Sequence, residues 1–361
     1  MHITCLRKNL HAALQKMANI VDVSKVPTKY SMILISAIGE HIQIFGTNTT
    51  AHLQLTVEGN TLLQGECCVS LAHLLRVVAS LVSTTIDLEV QKSKLVVNGD
   101  NGTCISLEAM KAEYFDKGIA RLVDTTAFES KFGVDCALLS KAINKCTPFC
   151  DINTLTVISG IHFEDDQCGL RVMGCSNVAF ASSCVKNILE ENVHFNFTLT
   201  CKDTRCIVEV FDNVIDIAVG EKVICVQNDN SVLYLSVMLD HYPPMMSLIP
   251  KTTAQQLPID CRKFKEVFDL TDIVSENTLV SVTYQSKQCV ISCGDLVSTV
   301  ISLEDEALSA RFRLDYTLLR KVFKAEPQSE YILQYNTATT PAVIQTDDAV
   351  FMLSLAVAGV K

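Results

Sequence analysis

The sequence predicts an α+β protein built from three pseudo-repeated domains, each made of two strand–helix–strand–strand half-units. Segments 67–110, 195–238 and 312–357 share one order of elements: an alternating segment, a helical run, then two or three further alternating segments. Segments 1–48, 131–182 and 258–294 repeat this order. Because this similarity recurs at the spacing of a domain, it indicates triplication rather than a solenoid. We therefore expect domains at 1–122, 123–250 and 251–361.

Each predicted helix follows a short strand and carries apolar residues at helical spacing. In the first helix Leu6, Leu10, Ala13, Leu14 and Met17 fall on one face. The helical windows are 6–20, 71–82, 136–146, 201–211, 261–269 and 315–324. Strands are predicted where apolar residues alternate with polar ones, as at Ile42 and Ile44, Ile86, Leu88 and Val90, Phe195, Phe197 and Leu199, and Phe312 and Leu314.

The composition argues against a membrane or secreted protein. The chain has 361 residues, of which 48% are hydrophobic and 19% are charged, so it has enough apolar surface for two or three cores. No apolar run reaches the roughly 18 residues that a membrane span needs, and the N-terminus lacks the order of a signal peptide. Sixteen cysteines without a secretion signal indicate reduced thiols. We therefore expect a cytoplasmic protein.

No catalytic or cofactor motif is found along the chain. There is no glycine-rich loop followed by Lys and Ser or Thr, the pattern that cradles phosphates. Cys146 and Cys150, like Cys289 and Cys293, are spaced more widely than a Cys-x-x-Cys pair, and no histidine cluster joins them. We expect no enzyme activity, no cofactor, no metal and no small-molecule substrate. A cysteine-dependent enzyme is a distant alternative.

Positive charge is concentrated in the predicted helices. The six windows hold fourteen lysines and arginines against five acids, although the whole chain has a net charge of −10. Lysine and arginine are good helix formers, so in one helix this pattern would indicate only a solvated face. In six equivalent helices it favours a surface for the DNA backbone. The expected DNA-binding residues are Arg7, Lys8, Lys16, Arg76, Lys141, Lys145, Lys202, Arg205, Lys263, Arg320 and Lys321.

Several local patterns then point to one family. They are KAEYFDK (111–117), LTVISGIHFE (155–164) with Ser159–Gly160 in place of Asn-Gly, DHYPPMMSLIP (240–250), FRLDYTLLRKVF (312–323), PAVIQ (341–345) and FMLSLAV (351–357). In order and spacing they resemble segments of the bacterial-type DNA polymerase sliding clamp, the beta subunit of the replicative polymerase, in a divergent or phage-like form.

This resemblance implies two chains that associate head to tail into a closed ring, with helices inside and sheets outside. It implies a processivity factor that encircles duplex DNA and tethers the replicative polymerase and other DNA-processing proteins. Double-stranded DNA, a DNA polymerase, a clamp loader and a second copy of the chain are the expected partners. The expected place of action is the nucleoid, or the host cytoplasm for a virus. The alternative is a protein-interaction scaffold that has the clamp fold without encircling DNA.

The resemblance also implies a peptide pocket and a dimer interface. The matching pocket residues are Ile158, Gly174, Ser176, Asn177, Val178, Ala179, Pro243, Ser247, Leu248, Leu279, Arg313, Tyr316, Thr339, Pro341, Phe351, Leu353, Ser354 and Leu355. The sequence departs from the family where Asp-Gly-His-Arg-Leu is replaced by 175–179 and Met-Pro-Met by 353–355, which suggests a different or weaker peptide. The interface residues are Ile105, Leu107, Ile273, Val274, Glu304 and Glu306.

Overall fold

A computed structural model describes the chain except residues 24–27, 39–40, 120, 122–125, 168, 187–192, 305–307 and 357–361. The chain divides into two compact units. Unit 1 comprises Met1–Ala137, Leu189–Phe195 and Lys202–Leu239, and unit 2 comprises Leu138–Ile188, Asn196–Cys201 and Asp240–Lys361. The predicted boundary at 122–123 lies outside the described residues, and the division into three domains stays a prediction.

The described residues contain six α-helices, one in each predicted window, so the prediction of six helices is confirmed. They are α1 Arg7–Met17, α2 Leu71–Ser80, α3 Cys136–Cys146, α4 Cys201–Val210, α5 Cys261–Val274 and α6 Tyr316–Ala325. Only the ends differ appreciably, since α1 stops short of its window and α5 runs beyond it. None of these helices is long and apolar enough to cross a membrane.

The strands, in chain order within the described residues, are β1 His2–Leu6, β2 Met32–Ile38, β3 His41–Thr47, β4 Ala51–Val57, β5 Gly59–Leu63, β6 Gly65–Ser70, β7 Thr85–Gln91, β8 Lys94–Gly99, β9 Cys104–Met110, β10 Phe128–Asp135, β11 Gly160–Asp166, β12 Gly169–Cys175, β13 Ala179–Lys186, β14 Asn196–Thr200, β15 Val214–Gly220, β16 Val223–Asn228, β17 Ser231–Ser236, β18 Gln255–Asp260, β19 Leu279–Gln285, β20 Gln288–Cys293, β21 Val297–Ser302, β22 Ala310–Asp315, β23 Glu330–Tyr335, β24 Ala342–Gln345 and β25 Ala349–Leu353.

The elements form six copies of one half-unit, a strand, a helix and three more strands. The copies run β1-α1-β2-β3-β4, β6-α2-β7-β8-β9, β10-α3-β11-β12-β13, β14-α4-β15-β16-β17, β18-α5-β19-β20-β21 and β22-α6-β23-β24-β25, with β5 as an extra strand. The predicted half-units are therefore confirmed, and each includes the third strand that the sequence left optional.

In unit 1 the strands of the described residues belong to one sheet of order β10-β15-β16-β17-β4-β3-β2-β6-β9-β8-β7-β1-β5. Within this sheet β4 pairs antiparallel with β17, and these are the last strands of two half-units, with Leu53 opposite Leu233. We call this pairing the first junction. Strand β9 pairs with β6 only at Ala109 and Met110, so its residues from Cys104 to Glu108 form a free sheet edge within the described chain.

Unit 2 contains an eight-stranded sheet of order β14-β11-β12-β13-β25-β24-β23-β18 and a four-stranded sheet of order β21-β20-β19-β22. In the larger sheet β13 pairs antiparallel with β25, again the last strands of two half-units, and Ala181 lies opposite Phe351. We call this pairing the second junction. Strand β21 is an edge strand of the smaller sheet among the described residues.

The helices pack on the sheets through the apolar faces that the sequence predicts. Leu10, Ala13, Leu14 and Met17 of α1 are buried, and burial of each leucine contributes about 2 kcal/mol. Helices α5 and α6 begin at aspartates: Asp260 accepts a hydrogen bond from the Lys263 amide, and Asp315 from the Thr317 amide. Each cap contributes about 1 kcal/mol by satisfying an otherwise unpaired N–H group.

Candidate functional site

One end of the second junction brings together many of the predicted pocket residues. A turn precedes β13, closed by a hydrogen bond from the Ser176 amide to the Ala179 carbonyl at 2.8 Å. The Ser354 amide, just after β25, donates to the Val178 carbonyl at 2.9 Å. The Ala356 amide donates to the Arg313 carbonyl at 2.8 Å, which places β22 beside the same chain end. We call the surface around this turn and the end of β25 the candidate pocket.

An apolar cluster lies beside the candidate pocket. Its buried members are Met173, Cys175, Phe180, Val343 and Met352, and partly buried Ile158, Tyr242, Met245, Met246, Ile249 and Val350 pack against it. Methionine side chains adapt to differently shaped partners because they are flexible and polarisable. Such a cluster next to a few polar groups has the character of a peptide-binding surface.

The segment from Tyr242 to Ile249 is held over this cluster by aromatic and polar contacts. The ring of Tyr242 stacks on His162 with centroids 4.4 Å apart and planes 6° from parallel. Arg171 donates to the sulfur of Met246 at 3.6 Å, and its guanidinium also pairs with Glu164 at 3.6 Å. Burial raises the pKa of Tyr242 well above its usual range, so the phenol stays neutral.

Within this segment the predicted residues Pro243, Ser247 and Leu248 differ in exposure. The Ser247 hydroxyl donates to the Pro244 carbonyl at 2.6 Å, which fixes a single short turn. Leu248 is 56% exposed beyond that turn, and Pro243 is half-buried. Leu248 is therefore the large apolar side chain of the three that is accessible to solvent.

The predicted pocket residues fall into an accessible group and a buried group. Exposed or half-buried side chains are Ile158, Ser176, Asn177, Val178, Pro243, Ser247, Leu248, Leu279, Arg313, Thr339, Pro341, Ser354 and Leu355. Buried residues are Gly174, Ala179, Tyr316, Phe351 and Leu353. The accessible group includes a single cation, Arg313, so the surface is mainly apolar and uncharged.

Tyr316 and Phe351 require a correction, because both are packed away from the surface. The Tyr316 ring stacks on Phe268 with centroids 4.9 Å apart, and its hydroxyl donates to Asp272. Phe351 lies 5.5 Å from Phe149, centroid to centroid. Tyr316 is 2% exposed and Phe351 0% exposed, so their side chains leave no face for a ligand.

Sequence reasoning missed the methionines and Tyr242. Met352 lies between Phe351 and Leu353, which strand alternation places on the opposite face of β25. Applying that alternation to β25 would have selected Met352 for the cluster. Tyr242 and the two methionines after the prolines form an apolar stretch in a predicted loop. That unusual composition could have indicated a contact surface.

The predicted DNA-binding residues also divide by their contacts. Lys8, Arg76, Lys141, Lys202 and Lys321 are exposed or half-exposed, and no carboxylate of the described chain lies within ion-pair distance of them. The same holds for Arg262, Lys265 and Lys324 of the helical windows.

The remaining cations have partners. Lys16 pairs with Asp212 at 3.3 Å, Arg205 with Glu209 at 3.3 Å, Lys263 with Asp260 at 3.7 Å, and Arg320 with Asp269 at 2.7 Å and Asp272 at 2.5 Å. Arg7 donates to the carbonyls of Ser83 at 3.0 Å and Val78 at 3.4 Å. DNA binding by either group stays a prediction, and the cations without an ion pair have no carboxylate to displace.

Lys145 is the second correction. Its side chain is buried, and its ammonium pairs with Asp348 at 2.7 Å and with Glu326. Burial opposes the charged amine, but the hydrogen bonds to Asp348 and Glu326 outweigh it and raise the pKa of Lys145. The ammonium joins α3 to the end of α6 and to the β24–β25 turn, and it cannot reach a phosphate group.

Comparison with known proteins gives a consistent result. Residues 1–118 match the family model of the DNA polymerase III beta subunit, N-terminal domain. No curated protein sequence matches the chain. The beta clamp of Helicobacter pylori bound to a DNA ligase peptide is similar in structure, with a TM-score of 0.85 and 15% identity over 99% of this chain and 100% of that one.

Two further solved structures, both of DNA polymerase III beta subunits, are also similar to this chain. The DNA polymerase III subunit beta of Pseudomonas aeruginosa gives a TM-score of 0.88 at 16% identity, covering 99% of this chain and 100% of that chain. The beta subunit of Thermotoga maritima gives 0.85 at 15% identity with the same coverage. This chain has the fold of a bacterial beta clamp. The resemblance that the local patterns suggested is confirmed at the level of the fold and, over residues 1–118, by the family model.

In this clamp fold the predicted interface residues lie on β9 and at the end of α5. Ile105 and Leu107 are half-buried on β9, where alternation exposes their neighbours. Ile273 is 78% exposed and Val274 50% exposed at the end of α5. Glu304 is exposed, and Glu306 lies outside the described residues.

No group of three or more histidine, cysteine or acidic side chains in the described part of the clamp fold could hold a metal ion. None of the described cysteines forms a disulfide. Cys146 is buried and donates to the Val172 carbonyl at 3.2 Å. Burial raises the pKa of several of these thiols, as for Cys146 to about 12, which disfavours the reactive thiolate.

Proposed function

We propose that this chain is a DNA sliding clamp, a non-catalytic processivity factor. Two copies would close into a ring around duplex DNA and tether the replicative polymerase and other DNA-processing proteins in the cytoplasm. The clamp fold and the family match over residues 1–118 support this assignment. Three domains, 1–122, 123–250 and 251–361, are part of the proposal.

The observation that carries the proposal is the set of unpaired cations on the helices. The chain has a net charge of −10. Even so, each of the six helices has at least one lysine or arginine that either has no acid partner within the described residues or is paired only at the surface. Exposed ion pairs contribute under about 1 kcal/mol, so a phosphate group can compete for these cations. Contacts to the DNA backbone need no base readout, which suits a protein that slides.

The repeat supports closure of a ring by strand pairing. Four of the six half-units end in a strand that pairs antiparallel with another last strand, at the first and second junctions. The last strands of the other two half-units, β9 and β21, have free edges within the described chain. Unpaired edges are a ready template for another chain. We propose that β9 of one copy pairs with β21 of the next, with Ile105, Leu107, Ile273 and Val274 buried between them.

The candidate pocket supports tethering of partners. The Helicobacter pylori clamp was solved with a DNA ligase peptide, which suggests that this chain also binds peptides of DNA-processing enzymes, including its polymerase and clamp loader. The accessible surface of the candidate pocket is mainly apolar, with several uncharged polar groups and Arg313 as its one cation. We therefore expect a peptide anchored by apolar side chains and bearing at most one acidic group.

The test is retention on DNA of different topology. The protein is diluted to monomers in the presence of nicked circular plasmid, reconcentrated so that rings close, and passed over a sizing column in high salt. We expect it to elute with circular DNA and to be lost when the plasmid is cut at one site. Equal behaviour on circular and linear DNA would instead support a clamp-fold scaffold that does not encircle DNA.

A matched charge reversal separates the DNA surface from ring closure. The triple variant Arg76→Glu, Lys202→Glu and Lys141→Glu should lower affinity for linear DNA at low salt by at least about tenfold, because each phosphate contact contributes counterion release. Its sedimentation mass should remain that of the dimer. Lys94→Glu, a reversal of an exposed lysine on a strand, is the control and should leave DNA affinity unchanged.

A further inference from the structure

Two thiols of unit 2 converge on one short stretch of backbone. Cys150 follows the short turn Thr147–Phe149, and its thiol donates to the Gly160 carbonyl at 3.2 Å. Cys201 opens α4, and its thiol donates to the preceding carbonyl, that of Ser159, at 3.0 Å. Because these two carbonyls are consecutive along the backbone, the two thiols lie at the same place, and each shifts the pKa of the other.

The two thiols are in different environments. Cys201 is half-buried at the first residue of a helix, where the helix dipole favours a thiolate, and the neighbouring Cys150 thiol lowers the pKa of Cys201. Cys150 is buried, and the Cys201 thiol together with burial raises its pKa. One thiol is therefore the better nucleophile and is accessible to a small oxidant, and the other is a protected thiol beside it.

We propose that Cys201 and Cys150 form an oxidative modification site that takes a peroxide and closes to a reversible disulfide. The Cys201 thiolate attacks one oxygen of hydrogen peroxide and the O–O bond breaks, which leaves a sulfenic acid and a hydroxide ion. The proton that Cys201 lost on ionisation converts this hydroxide to the first water. The Cys150 sulfur then attacks the Cys201 sulfur, the S–O bond breaks, and the hydroxyl leaves with the Cys150 proton as a second water. Two thiols lose two electrons in total, and one peroxide gains them.

The bond would act on the loop that ends at the candidate pocket. The Asp151 amide, directly after Cys150, donates to the carbonyls of Ile158 at 3.0 Å and Cys175 at 3.2 Å. A disulfide at Cys150 would anchor this loop to the start of α4. Amide hydrogen exchange within residues 152–157 should therefore slow on oxidation, a readout that does not depend on DNA or peptide binding.

Peptide mapping of the full-length protein after exposure to hydrogen peroxide tests the proposal. Trypsin and Asp-N together place Cys201 in a peptide without other cysteines and Cys150 in segment 146–150. We expect a cross-link between these two peptides that dithiothreitol reverses. We also expect the Cys201 thiol to be lost at least about tenfold faster than that of Cys184, a half-buried thiol elsewhere in unit 2.

Variants identify the partner, since segment 146–150 also contains Cys146. The cross-link should be absent in Cys150→Ser and Cys201→Ser and retained in Cys146→Ser and Cys184→Ser. A cross-link to Cys146 or Cys175 would overturn the proposal, as would Cys201 found as sulfinic acid without a partner. Oxidation of exposed Cys104 while Cys201 stays reduced would overturn it too. Fragmentation of the cross-linked peptide from the wild type separates Cys146 from Cys150, so these outcomes are decided even if a serine variant fails to fold.

Discussion

The two junctions are built from equivalent residues and differ in what those residues do. Thr50 directly precedes β4, and Val178 directly precedes β13. The Thr50 carbonyl accepts a hydrogen bond from the Ser236 amide at 2.8 Å, and the Val178 carbonyl accepts one from the Ser354 amide at 2.9 Å. The Thr50 hydroxyl also donates to the buried carboxylate of Asp203 at 2.9 Å. The side chain of Val178 is 49% exposed.

The side-chain clusters beside the two turns also differ, since the first is made of aromatic rings and the second contains methionines. At the first junction His52 is surrounded by rings, with centroids 6.2 Å from Phe45, 6.3 Å from Phe115 and 6.2 Å from Tyr234. At the second junction the corresponding places are taken by Phe180, Met173 and Met352. The backbone pairing is shared, so the difference between a closed junction and a candidate pocket resides in a few side chains.

At the opposite end of the junctions the second junction has the buried polar contact and the first has an exposed one. Lys16 and Lys145 both stand one residue before the end of their helices. Lys16 pairs with the exposed Asp212 beside an open cleft of 250 Å³ that Asn9, Leu55 and Asn230 help to line. Lys145 is buried between Asp348 and Glu326. A buried polar contact therefore lies at one end of each junction. In the first junction it lies at the turn before β4, and in the second it lies at the end opposite the turn before β13.

The largest expected effect comes from Lys145→Met. The substitution leaves Asp348 and Glu326 without their cation, and breaking a buried pair from one side costs about 3 to 5 kcal/mol. Urea unfolding should show this loss in the free energy of unfolding. Lys16→Met is the matched control, and because its pair is exposed it should change stability by less than about 1 kcal/mol. Equal effects of the two variants would contradict the contrast between the junctions.

The next effect is a loss of stability in acid that depends on His52. Burial, and secondarily the charge of Lys117, lowers the pKa of His52 from 6.5 to about 4. Its Nδ1 atom has no partner in the described chain. Because the unfolded state binds the proton first, stability contributed by neutral His52 is complete above pH 6.5 and falls as pH drops towards 4. A shift of this size corresponds to about 3 kcal/mol.

Urea unfolding between pH 7 and pH 4 measures this dependence. His52→Phe introduces the residue found at the equivalent place, Phe180, and should remove this part of the pH dependence while keeping the cluster packed. Phe180→His is the reciprocal variant and should introduce a similar acid sensitivity at the second junction. If His52→Phe unfolds with the pH dependence of the wild type, the pKa shift of His52 is not its source.

How far the sequence predicted these features depends on the range of the interactions. The six helices and their strands were predictable because periodicity of neighbouring residues decides them, as for Leu10 and Leu14. The burial of Lys145 was not, since its partner Asp348 is 203 residues away in the chain. Tyr316 was misplaced for the same reason, because its hydroxyl partner Asp272 is 44 residues distant. The charge pattern of a sequence shows where charged residues occur, but it does not show which of them form ion pairs in the folded chain.

A smaller effect is expected from Thr50→Val, which removes the polar tie of the first junction. A hydrogen bond to a carboxylate contributes about 1.5 to 2 kcal/mol, and valine keeps the shape of threonine. Thermal unfolding should show a loss of this order. Thr49→Val, at the exposed neighbouring position, should be neutral. A neutral Thr50→Val would mean that Asp203 is satisfied without this hydroxyl.

The smallest effect concerns binding at the second junction. Val178→Asp places a charge on the exposed apolar residue of the candidate pocket, where an apolar peptide anchor would have to desolvate it. Affinity for a DNA ligase peptide of the kind bound to the Helicobacter pylori clamp should fall about tenfold, which is about 1.4 kcal/mol.

Fluorescence anisotropy with the labelled peptide measures this change. Thr49→Asp introduces the same charge on the equivalent turn of the first junction and should leave peptide affinity unchanged. The variants are matched because both positions lie in turns that precede the last strand of a half-unit, so a general effect of added negative charge would weaken both alike. Only loss confined to Val178→Asp would assign peptide binding to the second junction.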